Sequence, residues 1–217
     1  MTATSLQLVF VGAFLGLAAA SVFTSSRPRA SSLLYIGNAL IATAAFLSAF
    51  SALIGSAGTD LVSLPVGLPW VGAHFRTDPL SLFFLAVINF GAAAASLFAV
   101  GYGRHDHEPH RILPFYSAFL AGMNLALIAD DAFTFLVSWE FMSLASFILV
   151  LAHHQEAENR RAAYVYLMMA SFGALALLFA FGLMSGPEGG YLFADIRARE
   201  FGEEFGGAVI LLALLGA

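Results

Sequence analysis

The sequence predicts an all-α, polytopic transmembrane helical bundle of six complete spans plus the start of a seventh, with the N-terminus outside. Three observations predict it. The first is composition: of 217 residues, 60% are hydrophobic and only 11% charged, and the mean hydropathy is +0.85. Soluble domains are about a quarter charged, so an ordinary soluble enzyme, a disordered chain and a nucleic-acid binder are excluded. The second is run length. Apolar stretches cover 5–24, 33–54, 80–102, 113–129, 132–152 and 161–184, and another begins near 207. Each complete stretch can cross about 30 Å of hydrocarbon as a helix. The third is that the runs are continuous rather than alternating, which argues against membrane strands. An unpaired strand would also leave its backbone unsatisfied in lipid.

The elements follow in order. The first span holds Ala18-Ala19-Ala20, which has the look of a signal-peptide cleavage site. Its first four residues carry no Arg or Lys, so it is read as a retained helix. Residues 55–79, with Pro65, Pro69 and Trp70, read as an irregular external segment. Asn89 in the third span and Asn124 in the fourth read as hydrogen-bonding glue between helices. Asp130-Asp131 forms a tight external turn and makes the fourth and fifth spans an antiparallel pair. Gly91 to Ala95 and Gly173-Ala174 are small-residue patches suited to close helix packing. In 187–206, Tyr191, Leu192, Phe193, Ile196 and Phe201 form either an apolar stripe on an interfacial helix or part of a solvated loop.

Orientation comes from the basic residues. Arg27, Arg29, Arg104, Arg111, Arg160 and Arg161 fall on one face, against Arg76, Arg197 and Arg199 on the other, which puts the N-terminus outside. All nine basic residues are Arg and none is Lys. The net charge of −5 provides no polybasic patch for anionic lipid or nucleic acid. With no Cys, a disulfide framework, a zinc–thiolate site and a thiol nucleophile are all excluded.

Glu140 is the residue that does not belong. It lies eight residues into the fifth span, about 12 Å deep at about 1.5 Å per residue. No other acid or base lies well inside a span. An ionised side chain at that depth costs about 2.5–3.5 kcal/mol on insertion scales, so the default reading is a proton or ion site facing a protein interior or hydrated cavity. Burial favours the protonated form of a carboxyl and a nearby cation favours the ionised form, so moving a cation toggles such a group. Ser143, at i+3 on the same face, is placed to pass a hydrogen bond along. Thr134 and Ser138 lie on other faces. His153 and His154, at the internal end of the span, are candidates for proton access. The loop carrying His105, His107 and His110 is read as a solvated polar loop, because its spacing fits no strong metal signature. No metal or cofactor site is assigned, and no nucleophile elbow, P-loop, dinucleotide fingerprint or HExxH occurs.

The run Asp131-Ala132-Phe133-Thr134-Phe135-Leu136-Val137-Ser138-Trp139-Glu140-Phe141-Met142-Ser143-Leu144-Ala145-Ser146 resembles the fifth helix of the antiporter-like proton-translocating subunits. These are shared by respiratory complex I, cation/proton antiporter complexes and membrane-bound hydrogenases. Trp139 to Ser146 is most similar to hydrogenase-4 component B and formate hydrogenlyase subunit 3. Phe75-Arg76-Thr77-Asp78-Pro79-Leu80 and Arg160-Arg161-Ala162-Ala163-Tyr164 also resemble the family. The resemblance implies a Glu on the fifth helix paired with a Lys on the seventh. Glu140 takes the Glu position, and the Lys position would follow shortly after Ala217. Residues 1–217 are therefore expected to be a single membrane domain, the N-terminal part of a longer subunit.

The resemblance further implies a proton-translocating subunit of a redox-driven complex in the inner cell membrane. Its partners would be other membrane subunits and peripheral redox subunits. Iron–sulfur and nickel–iron centres would sit in those partners and no cofactor in this subunit, since iron–sulfur ligation needs Cys. Three rivals stand beside this reading: a complex I or cation/proton antiporter subunit, a non-conducting membrane anchor with Glu140 as an interhelical hydrogen-bond donor, and an intramembrane enzyme using the His-rich loop.

Overall fold

The computed structural model describes residues 2–24, 28–55, 58–67, 72–102, 109–186, 190–199 and 203–216. The order is α1 (Ala3–Thr24), α2 (Pro28–Ile54), β1 (Asp60–Leu64), β2 (Ala73–Thr77), α3 (Pro79–Tyr102), α4 (Pro109–Ile128), α5 (Ala132–Val150), a 3₁₀ turn (Leu151–His153), α6 (Ala157–Ser185), α7 (Phe193–Ala198) and α8 (Glu203–Gly216). Six of these, α1 to α6, are long and apolar enough to cross a membrane. The chain is a multi-pass helical membrane protein.

Local chemistry sets the helix ends. Asp78 caps α3: its Oδ1 accepts from the Ser81 amide, and the Ser81 hydroxyl accepts from the Asp78 amide, both at 2.8 Å. This is a reciprocal capping box, and Pro79 at the first helical position loses nothing because that amide has no helical acceptor. Helix α4 begins at Pro109, earlier than the apolar run at 113, because the polar residues His110 and Arg111 form its first turn. Pro114 inside α4 cannot donate to the carbonyl four residues back.

Helices α1 to α4 enclose the core. One cluster joins Ala49, Phe75, Leu82, Leu85 and Ile128. A second joins Val11, Phe14, Ala42, Ala92, Leu120 and Ala121, and a third joins Leu34, Tyr35 and Leu113. Helix α5 lies on α4, α6 on α5, and α8 on α6. The α4–α5 contact is made backbone to backbone: a Cβ on Gly122 would stand 2.9 Å from Met142 Cα.

Two expectations are corrected. The 55–79 segment contains an antiparallel ribbon, with Asp60 opposite Thr77 and Leu64 opposite Ala73. Its second strand alternates, burying Ala73, Phe75 and Thr77 and leaving His74 and Arg76 half-buried. Gly67 and Gly72 turn the chain with φ of 96° and 75°, in the region that favours glycine. Trp70 lies outside the described residues. In the second case, a short helix, α7, forms in place of a loop, and its Phe193 and Ile196 pack on protein. Ile196 is buried, and the Phe193 ring lies 6.3 Å from Phe135 and 5.7 Å from Phe181. Phe201 lies outside the described residues.

The ribbon organises one end of the bundle. Phe75 bridges to Ala129, and Asp131 bridges to Leu192. The Asp130 amide donates to His74 O and the Phe193 amide to Asp130 O. Thr4 at the start of α1 donates its amide to Asp60 Oδ2 and its hydroxyl to Asp60 O. The start of α1, the ribbon, the α4–α5 turn and the 191–193 segment therefore share one face, as the alternation used for the Arg count requires.

Candidate functional site

Helix α5 carries the candidate site. Its start is fixed by Asp131, which is fully buried. Asp131 Oδ1 accepts from the Thr134 amide at 2.7 Å, the usual capping bond. Its Oδ2 accepts from the His74 amide at 2.9 Å. From this anchor, Glu140 falls about 12 Å from the helix start and about 15 Å from its end, near mid-span. Glu140 is half-buried, and its Oε1 is buried without a hydrogen-bond partner.

Ring contacts fix which side Glu140 faces. Phe147, seven residues on and so on the same face, lies 6.4 Å from Tyr164 of α6. Nearer the other end, Phe135 lies 6.0 Å from Phe181 of α6. Interpolating between these pairs sets Glu140 level with residues 173–174 of α6. Met142, which meets Gly122 of α4, is about 200° around the helix from Glu140. Glu140 thus faces away from α4.

The other predicted residues are placed as follows. Ser143 is buried one turn beyond Glu140, and no hydrogen bond joins the two. Thr134 and Ser138 lie on the α4 side, where the Ser138 hydroxyl donates to Thr134 O at 2.7 Å. His153 ends the 3₁₀ turn, and its side chain lies outside the described residues. His154 Nδ1 is 3.0 Å from Arg111 Nη1. Arginine only donates, so Nδ1 is the acceptor and the ring proton sits on Nε2. His154 is fourteen residues from Glu140, about 20 Å along the chain's helical path, so the structure does not bring them together. His110 is exposed, while His105 and His107 lie outside the described residues. Among the described residues no group of three His, Asp or Glu could hold a metal.

Asn89 and Asn124 are buried and bond each other: Asn89 Nδ2 donates to Asn124 Oδ1 at 2.7 Å. Each also donates to the carbonyl four residues back. This is a structural tie between α3 and α4, at about the depth of Glu140.

Sequence reasoning missed an ionic latch at the ribbon end. Arg76 Nε donates to Asp130 Oδ1 at 2.7 Å, and Arg76 Nη1 stands 3.3 Å from Asp78 Oδ2. His74 Nδ1 lies 3.6 Å from Asp131 Oδ2. Burial pushes the Asp78 carboxyl up, but the Ser81 amide, the Arg76 charge and the Ser81 hydroxyl together hold it below the usual 3.8. The Thr2 hydroxyl, ahead of burial acting the other way, holds Asp60 below 3.8 as well, with help from Thr4. The only sequence signal was acids next to the ribbon; their partners are more than fifty residues away in the chain.

Residues 129–217 match the family described as NADH:quinone oxidoreductase/Mrp antiporter, transmembrane. Hydrogenase-4 component B of Escherichia coli is 34% identical over 143 residues, covering 65% of this chain and 21% of that protein. Solved membrane complexes contain chains of this fold. In the Mrp complex from Dietzia sp. DQ12-45-1b the TM-score is 0.77 at 22% identity, covering 100% of this chain and 40% of that one. In the membrane-bound sulfane sulfur reductase, an archaeal respiratory membrane complex, it is 0.79 at 22% identity, covering 95% and 32%. The chain spans between 21% and 35% of the length of the curated relatives it matches.

Proposed function

This chain belongs to the NADH:quinone oxidoreductase/Mrp antiporter family, and from that premise we propose that it forms part of a proton-translocating membrane subunit of a redox-driven complex, of the hydrogenase-4 or formate hydrogenlyase type. The observation that carries the reading is the mid-span Glu140, whose Oε1 is buried without a partner. A carboxyl so placed takes up a proton when left in apolar surroundings and gives it up when a cation approaches. The capped, ribbon-anchored start of α5 holds it at a fixed depth. Ser143, one turn away, is the residue on this helix that lies nearest along the same face to extend a hydrogen-bonded path. His153 and His154 stand at the internal end as candidates for proton access. His154 gives up its Arg111 bond before its Nδ1 can accept a proton.

The partners in this reading are other membrane subunits and peripheral redox subunits in the inner cell membrane. Iron–sulfur and nickel–iron centres belong to those partners. This sequence supplies no Cys for such a cluster. The second reading is an antiporter subunit, favoured by the likeness to the Mrp complex and by the family description.

The test is Glu140→Gln in the complete complex. Gln keeps volume and hydrogen bonding but cannot titrate. Proton translocation should fall at least about tenfold, within the range that loss of a positioned acid–base group produces, with assembly intact. Translocation at full rate would overturn the reading and leave Glu140 as part of a non-conducting anchor. Translocation driven by a sodium gradient without any redox donor would select the antiporter reading.

A further inference from the structure

We propose that a water molecule is bound inside the α1–α4 bundle, where it bridges Asn38 of α2 and Ser117 of α4. Both side chains are fully buried. The Asn38 amide commits both of its N–H groups: Nδ2 donates to Leu34 O at 3.0 Å and to Ser117 Oγ at 2.9 Å. A carbonyl oxygen only accepts, so the bond to Leu34 fixes which end of the amide is which. The other end, Asn38 Oδ1, is buried and has no hydrogen-bond partner among the described residues. Beside it, Ser117 Oγ accepts from Asn38 and keeps its own hydroxyl proton to donate. An open acceptor and an available donor therefore stand on the two sides of one 2.9 Å bond.

The surroundings decide what fits there. One turn away on α2 are Leu34 and Ala42, and one turn away on α4 are Leu113 and Ala121. Leu34 and Leu113 share one apolar cluster, and Ala42 and Ala121 share another. Asn38 and Ser117 are thus a polar layer between two apolar ones, about 15 Å from the start of α2 and about 12 Å from the start of α4. Lipid supplies no solvent at that depth, and a buried acceptor left open is costly. Residues 3–24, 31–54, 79–102 and 112–128 contain no acid or base, so an ion in this layer would meet no counter-charge. The ligand is small, neutral and able both to give and to accept a proton, which describes water. It accepts from the Ser117 hydroxyl and donates to Asn38 Oδ1, and the Asn38–Ser117 bond closes the ring. Two partners are at the lower end of what holds a buried water. Asn89 and Asn124 differ because each oxygen of that pair already accepts from the other amide. Neither Asn38 nor Ser117 ionises, so the bridge ties α2 to α4 whatever Glu140 does.

The test is a cryo-electron-microscopy map of the complete complex at a resolution that shows ordered waters, with Ser117→Ala and Asn38→Leu mapped beside the wild type. In the wild type a single density should lie about 2.5–3.0 Å from both Asn38 Oδ1 and Ser117 Oγ. Ser117→Ala takes away the donor and Asn38→Leu the acceptor, so the density should be lost in each. If a variant fails to assemble, the wild-type map decides alone. Four results would overturn the assignment. The first is two well-defined side chains with no density between them. The second is a density that touches only one of the two, or a protein donor seated on Asn38 Oδ1. The third is a density at about 2.3–2.6 Å ringed by further oxygens, which is how a hard metal ion is held. The fourth is a density that persists undiminished in Ser117→Ala.

Discussion

Replacing Asp131 tests how α5 is anchored. Its carboxylate, fully buried, accepts two backbone amides, from Thr134 at 2.7 Å and from His74 at 2.9 Å. Loss of a helix cap costs about 1 kcal/mol. The His74 amide, left without an acceptor in a part-buried site, costs about 1–2 kcal/mol more. Asp131→Ala should therefore destabilise the protein by about 2–3 kcal/mol. At roughly 2–4 °C per kcal/mol for a chain of this size, melting should fall by about 4–12 °C. Asp131→Asn keeps one acceptor oxygen for the cap but turns an amide donor toward the His74 amide, so it should lose about half as much. Thermal melting of the intact protein in detergent reads both. An Ala variant that melts within a degree of the wild type would refute the anchoring argument. Equal losses in Ala and Asn would show that the His74 bond dominates and the cap contributes little. Translocation per assembled complex should fall less in Asp131→Asn than in Asp131→Ala, because Asn keeps the cap that sets the depth of α5.

Two further outcomes follow from the same geometry. Asn89→Leu or Asn124→Leu alone leaves a buried amide unpaired and should cost about 1–3 kcal/mol. The double replacement should cost less than the sum of the singles, with a coupling near 0.6–1.7 kcal/mol, as measured for polar pairs between membrane helices; additive losses in a double-mutant cycle would deny the pair. The second outcome concerns acid. Asp78 and Asp60 titrate below 3.8 in the folded protein, so their stabilisation is complete above the unfolded pKa and lost as pH falls through the lower folded one. Melting temperature should drop as pH falls below about 4, and Asp78→Asn should flatten that drop without changing the behaviour between pH 5 and 8.

The helices were legible because lipid imposes a length and a polarity that composition alone can satisfy. The ribbon was not. Asp60-Leu61-Val62-Ser63-Leu64 is a short strand flanked by Gly and Pro, and its first strand lacks a clean buried alternation. Its pairing depends on a partner strand that local sequence does not announce. The latch failed to show for a similar reason. Arg76, Asp130 and Asp131 look like solvated loop charges until the fold closes 54 to 57 residues of chain around them. Glu140 stood out because a single charge in an apolar run is conspicuous anywhere. Its unpaired oxygen did not, since that depends on which faces of α5 the neighbours cover. His154 read as a free helix-end histidine; only the tertiary contact with Arg111 fixes its tautomer.

The distribution of paired and unpaired charge ties these observations together. At the ribbon end, Arg76 is matched by two carboxylates and Asp131 by two amides. These charges sit where water and backbone compete for them, and pairing fixes the turn and the depth of α5. At mid-span the logic reverses. Asn89 and Asn124 close their hydrogen bonds on each other, so that layer is satisfied and static. Glu140, at about the same depth on the other side of α5, keeps a buried oxygen open. In the proposed reading this openness matters, because a permanent partner would hold a carboxyl in one state and a proton carrier has to visit both. A rigid, ion-paired end with an uncommitted mid-span carboxyl beneath it is the arrangement the proposed role asks for, a scaffold that stays still while a proton moves.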